Sequence, residues 1–316
     1  MQDIIVYTKP NQHGYTKSQN AVSNPRSGNW LRMFHCAMWH IHCSFHEGAE
    51  TYVWQRLHGE TVAMDCFVII PSRYGSTRFE GKSLARIAGS PMIEWVYHRT
   101  AQAHQPVNVV VATDDERIVS AVSEFGGQAI LTGSAARSGT DRVAEAAEKM
   151  GLRPEDIVIN VQGDQPLIHP ECIDEVIRPF RNESNVQMTT LAYKIHDDSE
   201  ITNPKDVKVA LNNKGFALYF SRSPIPLARD PETVFDTYKH LGVYAYTRWF
   251  LEIFRNLPEG RLEGIEKLEQ LRVLEHGYPL RVVITGHDSP EVDLPGDIPR
   301  IEQHIQEQGI ELPAAE

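Results

Sequence analysis

The stretch Phe67-Val68-Ile69-Ile70-Pro71-Ser72-Arg73-Tyr74-Gly75-Ser76-Thr77-Arg78-Phe79-Glu80-Gly81-Lys82-Ser83 decides the reading of this chain. It opens on a short, continuous apolar run, the pattern of a strand buried on both faces. It then turns into a basic loop in which Gly75 and Gly81 permit unusual dihedrals and Arg73, Arg78 and Lys82 supply positive charge. A flexible basic loop directly after a strand suits an anion approached closely by backbone. A solvated surface loop is the plain alternative. Five residues separate the two glycines, so this is not a Walker A loop, and no G-x-G-x-x-G fingerprint occurs. A helix is expected to follow, through Leu84 and beyond Met92.

Outward from this stretch, further apolar strands are predicted at Val107–Ala112, Ile157–Val161, Met188–Ala192 and Val207–Leu211. Helix-length segments lie between several of them, among them Asp115–Phe125, Asp141–Met150 and Pro170–Phe180. This alternation predicts an α/β fold: a mostly parallel twisted sheet with helices on both faces, Rossmann-like. Ligands in such sheets bind beyond the carboxyl ends of the strands.

Two carboxylates stand where a metal could be held. Strand Ile157–Val161 runs into Gln162-Gly163-Asp164-Gln165-Pro166, which fixes Asp164 just past a strand end. Asp293 lies in Pro290-Glu291-Val292-Asp293-Leu294-Pro295. Mg²⁺ prefers a few carboxylates with phosphate oxygens and water, so two aspartates suit it if the fold joins them. Asp114 and Asp115 after Val109–Thr113 read instead as a helix N-cap. Ser138-Gly139-Thr140-Asp141-Arg142 opens a helix, where amides and hydroxyls could meet a pyrimidine edge or simply cap. Arg222, His240, Tyr244, Glu269 and Gln270, in three later blocks, offer the donors and acceptors that a carboxylated polyol needs. Ordinary structure also explains them singly: Leu262–Val273 has helical apolar spacing, with Glu266 and Lys267 on its wet face.

The block Ile70–Arg78 followed by Gly81-Lys82 resembles the nucleotide loop of the 3-deoxy-manno-octulosonate (Kdo) cytidylyltransferases, a family with members acting on 8-amino-3,8-dideoxy-manno-octulosonate. It is more distantly similar to sialic acid cytidylyltransferases. The later blocks follow in family order across about 230 residues. The resemblance implies a nucleotide-diphospho-sugar transferase-like fold and CMP transfer from CTP to a Kdo-type acid sugar. It places Arg73 and Lys82 on the CTP phosphates, Arg78 near the sugar, Ser138 and Gly139 on CTP, and Asp164 and Asp293 on Mg²⁺. The sugar pocket would be Arg222, His240, Tyr244, Glu269 and Gln270, in a homodimer. Two departures stand out. The family's prolines around Gly-Lys are Glu80 and Ser83 here, and its Val-Asp-Thr-Pro-Glu-Asp reads Val-Asp-Leu-Pro-Gly-Asp. An acidic Glu80 opposes phosphate binding unless it turns away.

The whole chain sets limits on the alternatives. It has 316 residues, 41% hydrophobic and 23% charged, with a formal charge of −11 that argues against general nucleic-acid binding. No apolar run approaches the roughly 18–20 residues of a membrane span, and no signal peptide is read at Met1–Tyr7, so a cytoplasmic protein is expected. Cys36, Cys43, Cys66 and Cys172 form no disulfide framework. Residues 1–63 hold three of the five tryptophans, carry a charge of about +1 and show no strand–helix rhythm before Thr51. They read as an irregular extension ahead of a cytidylyltransferase domain at 64–316. Their His35, Cys36, His40, His42, Cys43 and His46 match no paired-ligand spacing. A nucleotide sensor without catalysis would be favoured by loss of Asp164 or Asp293, and both are present. A dinucleotide oxidoreductase lacks its glycine fingerprint.

Overall fold

The computed structural model describes residues 64–75 and 78–312 and, within the first 63, the backbone of five short strands. The chain divides into two compact units, Met1–Ala63 and Met64–Glu316. In the first, Ile5–Thr8, Thr16–Lys17, His35–Cys36, Trp39–His46 and Ala49–Arg56 pair in one antiparallel sheet. Regular backbone therefore occurs where the sequence shows no strand–helix rhythm. The side chains of the histidine and cysteine cluster lie outside the described residues.

The second unit is built on a sheet whose strands we number β1 (Cys66–Ser72), β2 (Asn108–Thr113), β3 (Ala129–Leu131), β4 (Ile157–Asn160), β5 (Met188–Lys194), β6 (Lys208–Leu211), β7 (Ala217–Ser221), β8 (Tyr238–Thr247) and β9 (Arg281–Thr285). Their order is β3-β2-β1-β4-β8-β5-β9, with β6 joined to β7 and β8. β3, β2, β1 and β4 run parallel, as do β5 and β9, while β8 runs against both neighbours. The expected mostly parallel sheet is present, and all five predicted strands fall within it. The order reverses between β1 and β4, which opens a crevice at their carboxyl ends.

Both faces are covered, as the continuous apolar runs require. Val68 and Ile70 of β1 pack with Ile93 and Val96 of α1 (Met92–Ala101), Ile118 and Val122 of α2 (Glu116–Glu124), and Ile173 and Val176 of α4 (Pro170–Asn182). Ile69 points the other way, toward Val143 and Ala147 of α3 (Gly139–Lys149) and Phe250 and Phe254 of α6 (Arg248–Asn256). A third cluster, including Trp95, Leu167, Val292 and Ile301, is fed by α9 (Ile298–Gln308).

The helix expected through Leu84 is corrected. A 3-10 turn at Lys82–Leu84 gives way to a hairpin of Arg86–Ile87 with Ser90–Pro91, and α1 starts only at Met92. Ala88 and Gly89 both have positive φ, 48° and 93°, and Pro91 cannot donate to a helix, so the turn is forced. Leu262–Val273 is likewise two short helices, α7 (Arg261–Glu266) and α8 (Gln270–Glu275), broken at Lys267 with φ 55°. A ninth helical segment, α5 (Asp198–Thr202), precedes β6.

Candidate active site

At the carboxyl end of β1, Gly81 closes the basic loop by donating its amide to Tyr74 O at 2.9 Å. Its φ is 68°, and a Cβ there would meet the Tyr74 ring at 3.2 Å, so both dihedral and space favour glycine. The Arg117 guanidinium stacks over the other side of the loop, 3.3 Å from the Tyr74 ring centre. Glu80 is exposed, and its charge acts on Arg117. Arg73, directly after β1, is exposed. Ser72 donates to Ser83 at 2.7 Å beneath the loop, both hydroxyls buried where the family has a proline at the second position.

The loop after β4 lies against this one. Gly163 sits so near β1 that a Cβ would fall 3.1 Å from Pro71 O, and Asp164 follows it. Lys82 Nζ is 2.6 Å from Asp164 Oδ2, which ties the basic loop to the first candidate carboxylate. The Val292 amide donates to Asp164 O at 3.0 Å, which brings in the second. Arg78 then holds Asp293 through two contacts, 2.9 and 3.1 Å. Leu167, three residues after Asp164, and Val292, just before Asp293, are buried in the same apolar cluster. Burying a side chain such as Val292 is worth about 1.5–3 kcal/mol, so this cluster anchors both loops. The altered Val-Asp-Leu-Pro-Gly-Asp turn is held by its last residue: Asp297 accepts from the amides of Asp293 and Leu294, each at 2.8 Å.

Glu291 was not singled out by sequence reasoning, although it lies within the Pro290–Pro295 run. It accepts from Gln165 Nε2 at 3.1 Å, and Gly242 of β8 lies against Gln162, Gln165 and Glu291. Its carboxyl is open to water along the crevice but crowded by the walls, and this desolvation, with the charges of Asp164 and Asp293, pushes it above the usual range. Asp164, Asp293 and Glu291 offer oxygen donors of the kind a hard dication takes, and Lys82 and Arg78 occupy the two aspartates here.

Ser138 caps α3 and donates to Glu269 Oε1 at 2.9 Å, while Thr140 donates to Glu269 Oε2 at 2.8 Å. Burial pushes the Glu269 carboxyl up, and those two hydroxyls and Arg272 oppose it. Ser138, Glu269 and Arg272, with Arg137 and Lys267, line a cavity of about 320 Å³. Gly139 packs on Pro71, 3.4 Å from its Cγ by the same Cβ measure. Gln270 is buried, and its Nε2 has no hydrogen-bond partner among the described residues.

His240 and Tyr244 lie on one face of β8, ring centres 5.3 Å apart, with Phe220 edge-on to His240 at 5.1 Å. His240 Nε2 is 2.9 Å from Thr190 Oγ1. Arg222 is anchored through its Nε to Glu266 O at 2.8 Å and through one terminal nitrogen to Pro204 O at 2.9 Å. Glu266 is no mere wet face: it accepts from Ser221 Oγ at 2.8 Å and from the Arg222 amide at 3.1 Å. Asp115 caps α2 by accepting from the Arg117 amide, and Asp114 pairs with buried Arg142 at 2.9 Å, so neither joins the carboxylate group.

The description "Cytidylyltransferase" belongs to the family model that matches residues 67–284. The 3-deoxy-manno-octulosonate cytidylyltransferase of Desulfosudis oleivorans is 63% identical over 239 residues, covering 76% of this chain and 96% of its own. The 8-amino-3,8-dideoxy-manno-octulosonate cytidylyltransferase of Shewanella amazonensis is 52% identical over 244 residues, 77% of this chain and 99% of its own. A solved CMP:2-keto-3-deoxy-manno-octonic acid synthetase complexed with CTP superposes with a TM-score of 0.73 at 40% identity, covering 77% of this chain and 99% of that one. The family model and these relatives agree, and the chain belongs to the cytidylyltransferase family, alongside its members named for Kdo and 8-amino-Kdo.

Proposed function

We propose that this protein transfers CMP from CTP to 3-deoxy-D-manno-octulosonate, releasing pyrophosphate, a reaction that serves lipopolysaccharide biosynthesis. It is a CTP-dependent nucleotidyltransferase. Two relatives named for Kdo are 63% and 60% identical, against 52% for the one from Shewanella amazonensis named for the 8-amino sugar, which favours Kdo. The observation that carries the site assignment is the convergence of Lys82, Asp164 and the Asp293 loop from three distant parts of the chain.

The anomeric hydroxyl oxygen of the sugar attacks the α-phosphorus in line; that O–P bond forms as the bond to the pyrophosphate oxygen breaks, and the hydroxyl proton passes to solvent water. Positioning and charge stabilisation carry such a transfer. Arg73 and Lys82 offset charge on the triphosphate. Lys82 exchanges its partner, Asp164, for phosphate oxygens. Asp164 and Asp293 would hold Mg²⁺, with Glu291 beside them. Bound there, the ion supplies Lewis-acid neutralisation of the phosphates. Ser138 and Gly139 border the cytidine, and Arg78, Arg222, His240, Tyr244, Glu269 and Gln270 the acid sugar. The 64–316 segment carries this activity as a homodimer in the cytoplasm. No helix among the described residues is long and apolar enough to cross a membrane.

The test offers the full chain CTP and Mg²⁺ with Kdo or 8-amino-Kdo in separate reactions. We expect pyrophosphate and CMP-Kdo in equal amounts, with kcat/KM reduced at least about 10³-fold in Asp164→Ala, as for loss of a principal electrostatic group. A folded protein that makes product from neither sugar overturns the reading. Product from the amino sugar alone reassigns the substrate.

A further inference from the structure

Away from the crevice, three potential metal ligands converge from two segments. His169 caps α4, Glu171 lies in its first turn, and His287 follows β9. His287 Nε2 is 2.9 Å from Glu171 Oε2, and the two imidazoles stack with centres 3.6 Å apart and planes 2° apart. One donor atom from each residue lies within 4.8 Å of the other two. Glu171 is 65% exposed and His287 32%, so an ion can enter from solvent.

We propose that His169, Glu171 and His287 form a second cation site, one that takes Zn²⁺ or a related transition-metal dication. The donor chemistry sets it apart from the crevice. Two imidazoles and one carboxylate select transition metals and leave a fourth position open, whereas the carboxylates of Asp164, Glu291 and Asp293 are a hard, oxygen-only set. Bonds of roughly 2.0–2.2 Å bring tetrahedral donors to about 3.4 Å from one another, so the three must draw in slightly. Both nitrogen lone pairs must also point at one ion, which parallel stacked rings cannot do. Binding therefore turns one ring out of the stack and replaces the His287–Glu171 hydrogen bond.

The placement gives the ion a structural consequence. His169 ends the loop that carries Asp164, and His287 lies near the start of the loop that leads to Asp293. Those loops already meet through the Val292 amide and Asp164 O. An ion held by His169 and His287 cross-links them a second time, at their outer ends.

The test uses the full chain, stripped of metal by chelation and dialysed against Co²⁺ with Mg²⁺ in excess. Wild type is compared with His287→Gln and Glu171→Gln. Any Co²⁺ captured by the histidines and cysteines of residues 1–63 is common to all three proteins, and thiolate ligation announces itself by near-ultraviolet charge transfer. We expect wild type to bind one more Zn²⁺-displaceable equivalent than His287→Gln, without added thiolate absorption. Glu171→Gln should bind it at least about 10-fold more weakly. Cobalt should also slow amide exchange over residues 286–293 in wild type alone. Circular dichroism and transfer activity with Mg²⁺ only should be unchanged in both variants, so failure here is separable from failure of the transfer reaction. Equal stoichiometry and affinity in all three proteins overturns the site; Glu171→Gln, at an exposed position, decides should His287→Gln fail to fold.

Discussion

Thr190 has a single hydroxyl proton and two backbone carbonyls within reach, Val243 O at 2.7 Å and Leu241 O at 3.3 Å. Donating there leaves its oxygen to accept from His240 Nε2 at 2.9 Å, which makes Nδ1 the lone-pair nitrogen of His240. Such a ring presents an acceptor, not a positive charge. Burial among Phe220 and Tyr244 agrees, pushing the imidazole from 6.5 down to about 3. Because the folded value lies below the unfolded one, the unfolded chain binds the extra proton first. Stability from this residue is present above pH 6.5 and is lost as pH falls toward 3. Replacing His240 with Gln removes that dependence. We expect the Tm lost by wild type between pH 8 and pH 5 to shrink by about 2–5 °C in His240→Gln, taking ~1–2 kcal/mol at pH 5 and a domain of this size. Differential scanning calorimetry at the two pH values checks it, and an equal loss in both proteins would mean the imidazole titrates normally.

The turn that carries Asp293 illustrates how an element preserves a position while its sequence drifts. Leu294 and Gly296 stand where the family has Thr and Glu, yet Asp297 still receives two backbone amides. Burial alone would raise the Asp297 carboxyl, but those amides, with Lys205 and Arg300, hold it below the usual range. Asp297→Ala leaves the turn without its clasp, at a cost of about 1 kcal/mol by analogy with lost caps. Because Asp297 orients a proposed ligand, the Mg²⁺ concentration for half-maximal rate should rise about 10-fold or more, with Asp297→Asn much less affected. Rate measured against Mg²⁺ concentration checks this; an unchanged midpoint in Asp297→Ala would show that Asp293 needs no such support. The two aspartates were legible because each sits in a short run of distinctive neighbours. Glu291, in the same run as Asp293, was not, because its crowding is made by Gln165 and Gly242, which only the fold brings near. The hairpin before α1 was also missed: apolar residues continue through Leu84 and Met92, and the positive φ at Ala88 and Gly89, followed by Pro91, breaks the helix.

For the molecule as a whole, strands β1, β2, β4, β5 and β6 were readable, and β3, β7, β8 and β9 were not. The apolar runs of β1, β2 and β4 are continuous because helices cover both faces, whereas β8 alternates in burial along most of its length. Nothing in a strand's own sequence states the direction in which it is inserted, so β8 running against β4 and β5 follows from the connections alone. The same holds for assembly. The connection from β7 to β8 exposes Leu227, 87% accessible, Val234, 97% accessible, and Phe235, side chains that the sequence pattern alone does not assign to a surface. The family model lies within Met64–Glu316, and that unit holds its own core clusters around the sheet. On the proposed homodimer, a Met64–Glu316 protein should show twice its own chain mass by light scattering and keep kcat/KM within about twofold of the full chain, because the matched family segment and the core clusters lie within it. Monomeric mass with full activity would remove the second copy from the reaction. Dimeric mass with activity lost would instead assign residues 1–63 a part in the transfer itself, because the fold and its pairing would have survived their removal.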